Sequence, residues 1–295
     1  MNYFTIKQAY YTGNFPQTLQ EIAKFNKISD DTLLFYKHSA SLKLGQLTQD
    51  LGSSNLDKAF AAYKVFLETR EISQLEKTVS IETGSPFELY LFASAQAIRE
   101  DFEAGLQICV SGIDSDEQLG TPELLLLAVE ISLMNNQFST ATTILENYTS
   151  ANEDEISGED ELILNLAESY VKFATNQETT RSNFYYFEEL SQTFPTWKTQ
   201  LGLLNMHLQQ NNVPEAQSIV DVLESEYYTE EQKDLAKLYR PSFLASKITL
   251  SILQNSQDTQ PLRSELATLD PANVFCKKHN ETQAKFDEVV AKYSS

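Results

Sequence analysis

Apolar residues recur along this chain at helical spacing, in short runs separated by polar turns. The stretch Phe194 to Val220, FPTWKTQLGLLNMHLQQNNVPEAQSIV, shows the whole pattern in one place. Pro195 stops one helix, and Thr196 can cap the next because a threonine oxygen accepts a free amide of the first turn. Trp197, Leu201, Leu204 and Leu208 then share one face, Asn211 and Asn212 break the run, and Val213, Ala216, Ile219, Val220 and Leu223 begin a second stripe. The pattern predicts helix, tight turn, helix, with Trp197 beside Pro195 as a wedge at a joint between two units. A helix pair this short cannot bury its own apolar face and needs neighbours of the same kind.

The turn repeats. It reads polar, polar, apolar, two spacers, then a small residue: Asn211, Asn212, Val213 and Ala216 in the stretch above. The same order occurs at Gly13, Asn14, Phe15 and Thr18; at Ser54, Asn55, Leu56 and Ala59; at Glu100, Asp101, Phe102 and Gly105; and at Asn136, Gln137, Phe138 and Ala141. The small residues lie 41, 46, 36 and 75 positions apart, so one more degenerate pair is expected in the longest gap, over Asp160 to Ala174 and Phe184 to Leu190. Two helices joined by a short turn cross at about 8–10 Å, and their closest approach leaves room for little more than a methyl group. Thr18, Ala59, Gly105, Ala141 and Ala216 are therefore read as helix-crossing positions.

Prolines support the segmentation. Ser85-Pro86-Phe87-Glu88 is a capping box with proline at the first helical position, and Pro122 and Pro271 are placed likewise. Pro195, Pro241 and Pro261 are read as boundaries, with no proline interrupting a periodic run. Residues 70–84 read as an inserted short helix and linker, and 48–54 as a lengthened turn. Beyond Arg240 the turn signature fades, and the run through Phe275, Phe286, Val289, Val290 and Tyr293 is expected to close the stack. The fold class is all-α, a helical-repeat solenoid, with a curled or ring-like course among the forms such a stack can take. The repeats are expected over 1–239 and the closing helices over 240–295, as a single domain.

Composition narrows the function classes. A net charge of −20 repels phosphates and anionic headgroups, which disfavours nucleic acid and direct membrane binding. The N-terminus MNYFTIKQAYY does not resemble a secretory signal, and the longest apolar run, Leu124 to Val129, is far short of the roughly 20 residues a spanning helix needs. Two distant cysteines, Cys109 and Cys276, suit a reducing cytosol.

No chemical site emerges. His38, His207 and His279 fall in different units without a second ligand at metal spacing, and no glycine-rich phosphate loop is present. Cys109 shares an apolar stripe with Leu106 and reads as core. The acidic stretch Asn152 to Glu161 lacks calcium-loop spacing and is explained by carboxylates at a helix N-terminus. The expectation is no catalytic residue, no metal and no cofactor.

The repeat resembles the tetratricopeptide repeat, a helix pair of about 34 residues. Thr18, Ala59, Gly105, Ala141 and Ala216 fall on its conserved-small position in the second helix. Ala93 matches the small residue of the first helix, whereas Ile6, Val129 and Leu204 do not, so these repeats are divergent. In that family the inner groove is lined by set positions of the first helix. Carried over, they are Tyr3, Lys7, Tyr10 and Tyr11; Tyr90, Ser94, Ala97 and Ile98; Leu126, Glu130, Leu133 and Met134; and Leu201, Asn205, Leu208 and Gln209. An apolar, aromatic groove suits a hydrophobic partner element; the other reading is that these residues pack between adjacent helix pairs.

The words MNYFTIKQAYYTGNF, TLLFYK, SNFYYFEELSQTFPTWKTQLGLLN and AKFDEVVAKY together resemble the epsilon subunits of coatomer, the COPI vesicle coat, in their fungal form. The resemblance spans nearly the whole chain. It implies a non-enzymatic, cytoplasmic coat subunit that binds and stabilises the C-terminal domain of alpha-COP, with its repeats curled around an element of that partner. It further implies indirect contact with other coat subunits, recruitment to Golgi membranes without insertion, and a part in retrograde Golgi-to-ER and intra-Golgi transport. The alternative is a peptide-binding adapter or co-chaperone, against which stands the missing carboxylate clamp.

Overall fold

A computed structural model of the chain describes residues 3–26, 30–48, 51–114, 119–153, 156–256 and 258–293. Positions 49–50 of the lengthened turn and 154–155 of the acidic stretch lie outside them. Among the described residues there is no strand. The helices are α1 (Phe4–Tyr11), α2 (Phe15–Ala23), α3 (Asp31–Lys43), α4 (Asn55–Thr69), α5 (Ser73–Thr78), α6 (Pro86–Ile98), α7 (Phe102–Ile113), α8 (Thr121–Met134), α9 (Phe138–Ala151), α10 (Glu161–Ala174), α11 (Ser182–Thr193), α12 (Trp197–Gln209), α13 (Val213–Leu223), α14 (Lys233–Leu253), α15 (Gln260–Leu269) and α16 (Val274–Tyr293), with a π turn at Tyr227–Glu231. The chain divides into two compact units, Met1–Asn183 and Phe184–Ser295.

Backbone chemistry accounts for the repeated turn. Gly13, Glu100, Asn136 and Asn211 all have positive φ, between 58° and 83°. Each follows a helix end, and the next amide donates back to a carbonyl five residues earlier: Asn14 to Ala9, Asp101 to Gln96, Gln137 to Ser132 and Asn212 to His207. This left-handed closure satisfies orphan carbonyls of the first helix. The residue that closes it is also the N-cap of the next helix, and Asn14 and Asp101 accept from the amides of Gln17 and Ala104. The signature thus reads left-handed residue, N-cap, first helical residue. At the second occurrence Ser54 instead caps α4 in a capping box with Asp57, and the left-handed closure sits earlier, at Gly45.

In the first unit, successive pairs pack side by side: α1 on α2, α6 on α7, α8 on α9, with α6, α8 and α10 in contact along the row. Aromatic rings fill its start. Phe35 stacks on Phe87 with centroids 4.5 Å apart and meets Tyr36 and Tyr90 edge-on, pairs worth about 0.5–1.5 kcal/mol each beyond their buried area. The inserted α5 packs on α4 through Leu75, which is fully buried.

In the second unit α12 packs on α13 and α14. Trp197, 2% exposed, donates its indole N–H to the Tyr228 carbonyl at 3.2 Å, and the Tyr228 hydroxyl donates to the Pro195 carbonyl at 3.1 Å. Edge-on contacts with Tyr228 and Phe243 complete its surroundings. The tryptophan therefore ties the start of α12 to the π turn and α14. Pro241 departs from the sequence expectation: it lies inside the 21-residue α14 rather than at a boundary. A proline there leaves the carbonyl four residues back without its helical donor, and that residue, Lys237, is exposed to water.

Leu244, Ile248, Leu266 and Cys276 form a separate small core with Phe275 against it. Of the residues read as closing the stack, Phe275 packs here, whereas Phe286, Val289, Val290 and Tyr293 are exposed. Length explains the difference. α15 has 10 residues and α16 has 20, so at 1.5 Å per residue α16 outruns its neighbour.

Candidate functional site

Four helices of the first unit meet at one buried carboxylate. Glu123, 1% exposed, sits in the first turn of α8 inside the apolar run TPELLLL. Its Oε1 accepts the Tyr36 hydroxyl of α3 at 2.5 Å and lies 3.2 Å from the Lys7 ammonium of α1. Lys7 also reaches Asp160 Oδ1 at 2.6 Å, at the N-cap of α10. The Ser157 hydroxyl donates to Asp160 Oδ2, and the Tyr3 amide donates to Glu159 Oε1 at 2.9 Å. The start of α1 is thus fastened to the start of α10, and the row of helix pairs turns back on itself within this unit. Burial works to lower the Lys7 pKa, but the Glu123 and Asp160 carboxylates outweigh it and hold the ammonium above its ordinary value.

By exposure, the predicted groove residues of the two units separate into three kinds. Lys7, Tyr11, Ala97, Leu126 and Leu201 are buried. Tyr3, Tyr10, Tyr90, Ser94, Glu130, Leu133, Asn205, Leu208 and Gln209 are half-buried, and Ile98 and Met134 are 42% and 52% exposed. Lys7 is held in the ion cluster, and Tyr11 belongs to the core. Tyr10 packs edge-on against Tyr11, Phe15 and Tyr36. Tyr90, Ser94 and Ile98 of α6 and Glu130, Leu133 and Met134 of α8 lie on two helices that pack together. In the second unit, Asn205 accepts from the Ser246 hydroxyl of α14 at 2.8 Å.

Phenol groups crowd the interior of this face. Burial pushes Tyr10, Tyr11, Tyr36 and Tyr90 above the ordinary tyrosine pKa, with Glu130 or Glu123 adding to the effect. Burial raises Tyr63 to about 12 against an opposing hydrogen bond with Ser94. All five stay neutral hydrogen-bonding groups at physiological pH.

The helix-crossing positions are all interior: Thr18, Ala59, Ala141 and Ala216 are 0% exposed, and Gly105 is buried. A methyl at Gly105 would stand 3.1 Å from the Ala93 carbonyl and 3.3 Å from Ile131 Cδ1. In α12, a methyl at Gly202 would stand 2.6 Å from the Phe187 ring.

Among the described residues no cluster of histidine, cysteine and carboxylate is arranged to hold a metal ion. His38 Nε2 lies 2.9 Å from Asp57 Oδ1 in a buried pair, and burial lowers its pKa, with the Asp57 bond acting in the opposite direction. Burial raises the Cys109 thiol far above the range of a reactive cysteine. No helix is long and apolar enough to cross a membrane among the described residues. Glu123 and Asp160 are the residues that sequence reasoning did not single out. A lone carboxylate inside TPELLLL was a usable signal, because an acid on an apolar face needs a buried partner.

The family model for the coatomer epsilon subunit matches residues 2–294. The chain is 58% identical over 295 residues to coatomer subunit epsilon of Saccharomyces cerevisiae, an alignment covering all of this chain and 99% of that protein. The chain therefore belongs to the coatomer epsilon subunit family, whose members are structural coat components and not enzymes.

Proposed function

We propose that this chain is the coat subunit that binds and stabilises the C-terminal domain of alpha-COP, using the concave side of its first unit. Family membership supports its place as a coatomer component. The observation that carries the finer reading is the row of incompletely covered side chains on two adjacent first helices: Tyr90, Ser94 and Ile98 on α6, and Glu130, Leu133 and Met134 on α8. Aromatic and aliphatic groups left half-covered in a rigid frame are the residues that gain most from a partner's apolar element. The fastening of α1 to α10 supports a curled first unit that could surround such an element, and the repeated left-handed turn supports divergent tetratricopeptide-like pairs. On this reading the chain joins the COPI coat through alpha-COP, reaches Golgi membranes through other subunits, and serves retrograde and intra-Golgi transport.

A co-chaperone adapter that captures a peptide carboxylate is disfavoured by the engagement of Lys7, the lysine among the carried-over groove positions, with Glu123 and Asp160. Co-expression with the alpha-COP C-terminal domain and size-exclusion chromatography tests the proposal. A stable one-to-one complex is expected, and separate elution of the two chains contradicts it.

A further inference from the structure

Every residue of α16 over 277–293 is exposed to water. At 1.5 Å per residue this stretch is about 25 Å long, and a helix of that length without packing is marginal in water. His279, Thr282, Phe286, Val289 and Tyr293 follow one another along it at spacings of 3, 4, 3 and 4. That alternation is the 3.5-residue repeat of a seam that meets one other helix, and it is narrower than the stripe a helix turns toward a protein core. Phe286, Val289 and Tyr293 are all exposed, Tyr293 by 86%. The Thr282 hydroxyl donates to the Lys278 carbonyl at 2.8 Å, so the polar group of that seam residue is satisfied within the helix.

Spacing alone leaves the occupant open, and the charges beside the seam identify it. Lys278, Lys285 and Lys292 stand seven residues apart, each directly before a seam residue, and so line one edge of the seam. Among the described residues none of the three forms an ion pair. The acids of α16, Glu281, Asp287 and Glu288, fall by register on the side away from the seam. In a chain of net charge −20, an edge made of lysines alone is a local reversal of sign. A second copy does not answer it. Two α16 helices side by side would set the lysines against one another when antiparallel, and against the uncharged Gln283 and Val290 when parallel. A lipid surface fits less well, because an interfacial helix needs a broad apolar face and a basic polar face, whereas this seam contains His279 and Thr282 and the polar side carries three carboxylates.

We propose that this seam docks one amphipathic helix of another polypeptide, whose apolar stripe has the same period and is edged by aspartate or glutamate facing Lys278, Lys285 and Lys292. Phe286, Val289 and Tyr293 supply the apolar contact, and the lysines select an acidic partner over a basic one. The seam lies in the second compact unit, apart from the α6 and α8 face assigned to alpha-COP in the first.

The test is fluorescence anisotropy of a labelled synthetic helix of three heptads, with leucine at its seam positions and glutamate at both edges, titrated with the full-length chain at constant ionic strength. The same peptide with lysine at both edges is the control. Saturable binding of the acidic peptide is expected, with hydrogen exchange slowed over residues 279–293, and the lysine peptide should bind at least about tenfold more weakly. Lys278→Glu with Lys285→Glu and Lys292→Glu should reverse that preference, and Phe286→Ser with Val289→Ser should abolish binding of both peptides. All five positions are exposed, so the melting temperature should not change in either variant. Absence of saturation at millimolar peptide, protection confined to other segments, or an unaltered preference in the triple variant overturns the proposal. Sedimentation velocity of the chain alone and flotation with phosphatidylcholine vesicles containing phosphatidylserine test the other occupants. A dimer, or vesicle binding, that is lost in the Phe286 and Val289 variant also overturns it, in favour of a second copy or a lipid surface.

Discussion

The Lys7 ammonium lies 2.6 Å from the Asp160 carboxylate, 153 positions away along the chain, and the same ammonium is shared with the buried Glu123. Together with the Tyr3 amide on Glu159, 156 positions apart, this pair fastens α1 to α10 in the first unit. Breaking a buried pair by removing one partner costs about 3–5 kcal/mol, because the other charge is left behind. Lys7→Met should therefore lower the unfolding free energy by roughly that amount, measured by urea denaturation. A loss below about 1 kcal/mol would show the cluster to be solvated and marginal.

Glu100 adopts φ 67° at the turn between α6 and α7, a conformation that strains any side chain but glycine's. Glu100→Gly should raise stability by about 0.5–1 kcal/mol, the relief of strain being partly offset by the greater entropy of the unfolded chain. The check is the denaturation midpoint, and a decrease would mean that the Glu100 side chain makes a stabilising contact larger than the strain.

Gly105 and Ala216 occupy equivalent places in the repeat, one in each compact unit. Overpacking a tight helix crossing costs about 1–3 kcal/mol. Gly105→Leu and Ala216→Leu should each destabilise by that order in thermal melts, whereas Gln217→Leu, next to Ala216 but half-buried, should change little. Unchanged melting in either Leu variant would remove that position from the crossing.

The His38 and Asp57 pair fixes an acid sensitivity. Burial lowers the His38 pKa below 6.5, so at neutral pH its ring is uncharged and Nε2–H donates to Asp57. The unfolded chain takes up that proton first, so stability is full above about pH 6.5 and falls as pH drops through 6.5 toward the folded value. Asp57, which burial pushes upward, is nevertheless held below 3.8 by hydrogen bonds from Ser54 and His38. Its contribution is full above about pH 3.8 and is lost as pH falls through the depressed folded value. Burial also lowers His207. His38→Gln keeps an N–H donor, so it should flatten the part of the decline that sets in as pH drops below about 6.5 and leave the lower stage in place. An identical pH profile would show that His38 titrates alike in folded and unfolded chains.

The turn signature was legible because everything it needs is local: a residue that tolerates left-handed backbone, an N-cap acceptor, then an apolar first position, as at Asn211, Asn212 and Val213. All-α class followed from the same periodicity. The ion cluster was not legible in that way, since Tyr36 and Glu123 are 87 positions apart and meet only when the helix row turns back. Lys7 was accordingly read as a groove residue, though its charge is consumed inside. Pro241 was misread because proline ordinarily marks a helix end, whereas packing of Phe243, Leu244 and Ile248 carries α14 through it. The exposed half of α16 illustrates the converse: helical spacing of Phe286, Val289, Val290 and Tyr293 specifies a stripe, not what covers it.

Ile98 and Met134 decide the central claim. They are the most exposed apolar residues among the groove positions, at 42% and 52%, on helices that pack side by side. The measurement is the dissociation constant, by isothermal titration calorimetry, of the double variant Ile98→Glu with Met134→Glu for the alpha-COP C-terminal domain, alongside its melting temperature. Two buried charges at an interface should weaken binding by at least about a hundredfold with melting nearly unchanged. Wild-type affinity in the double variant would contradict binding through this face.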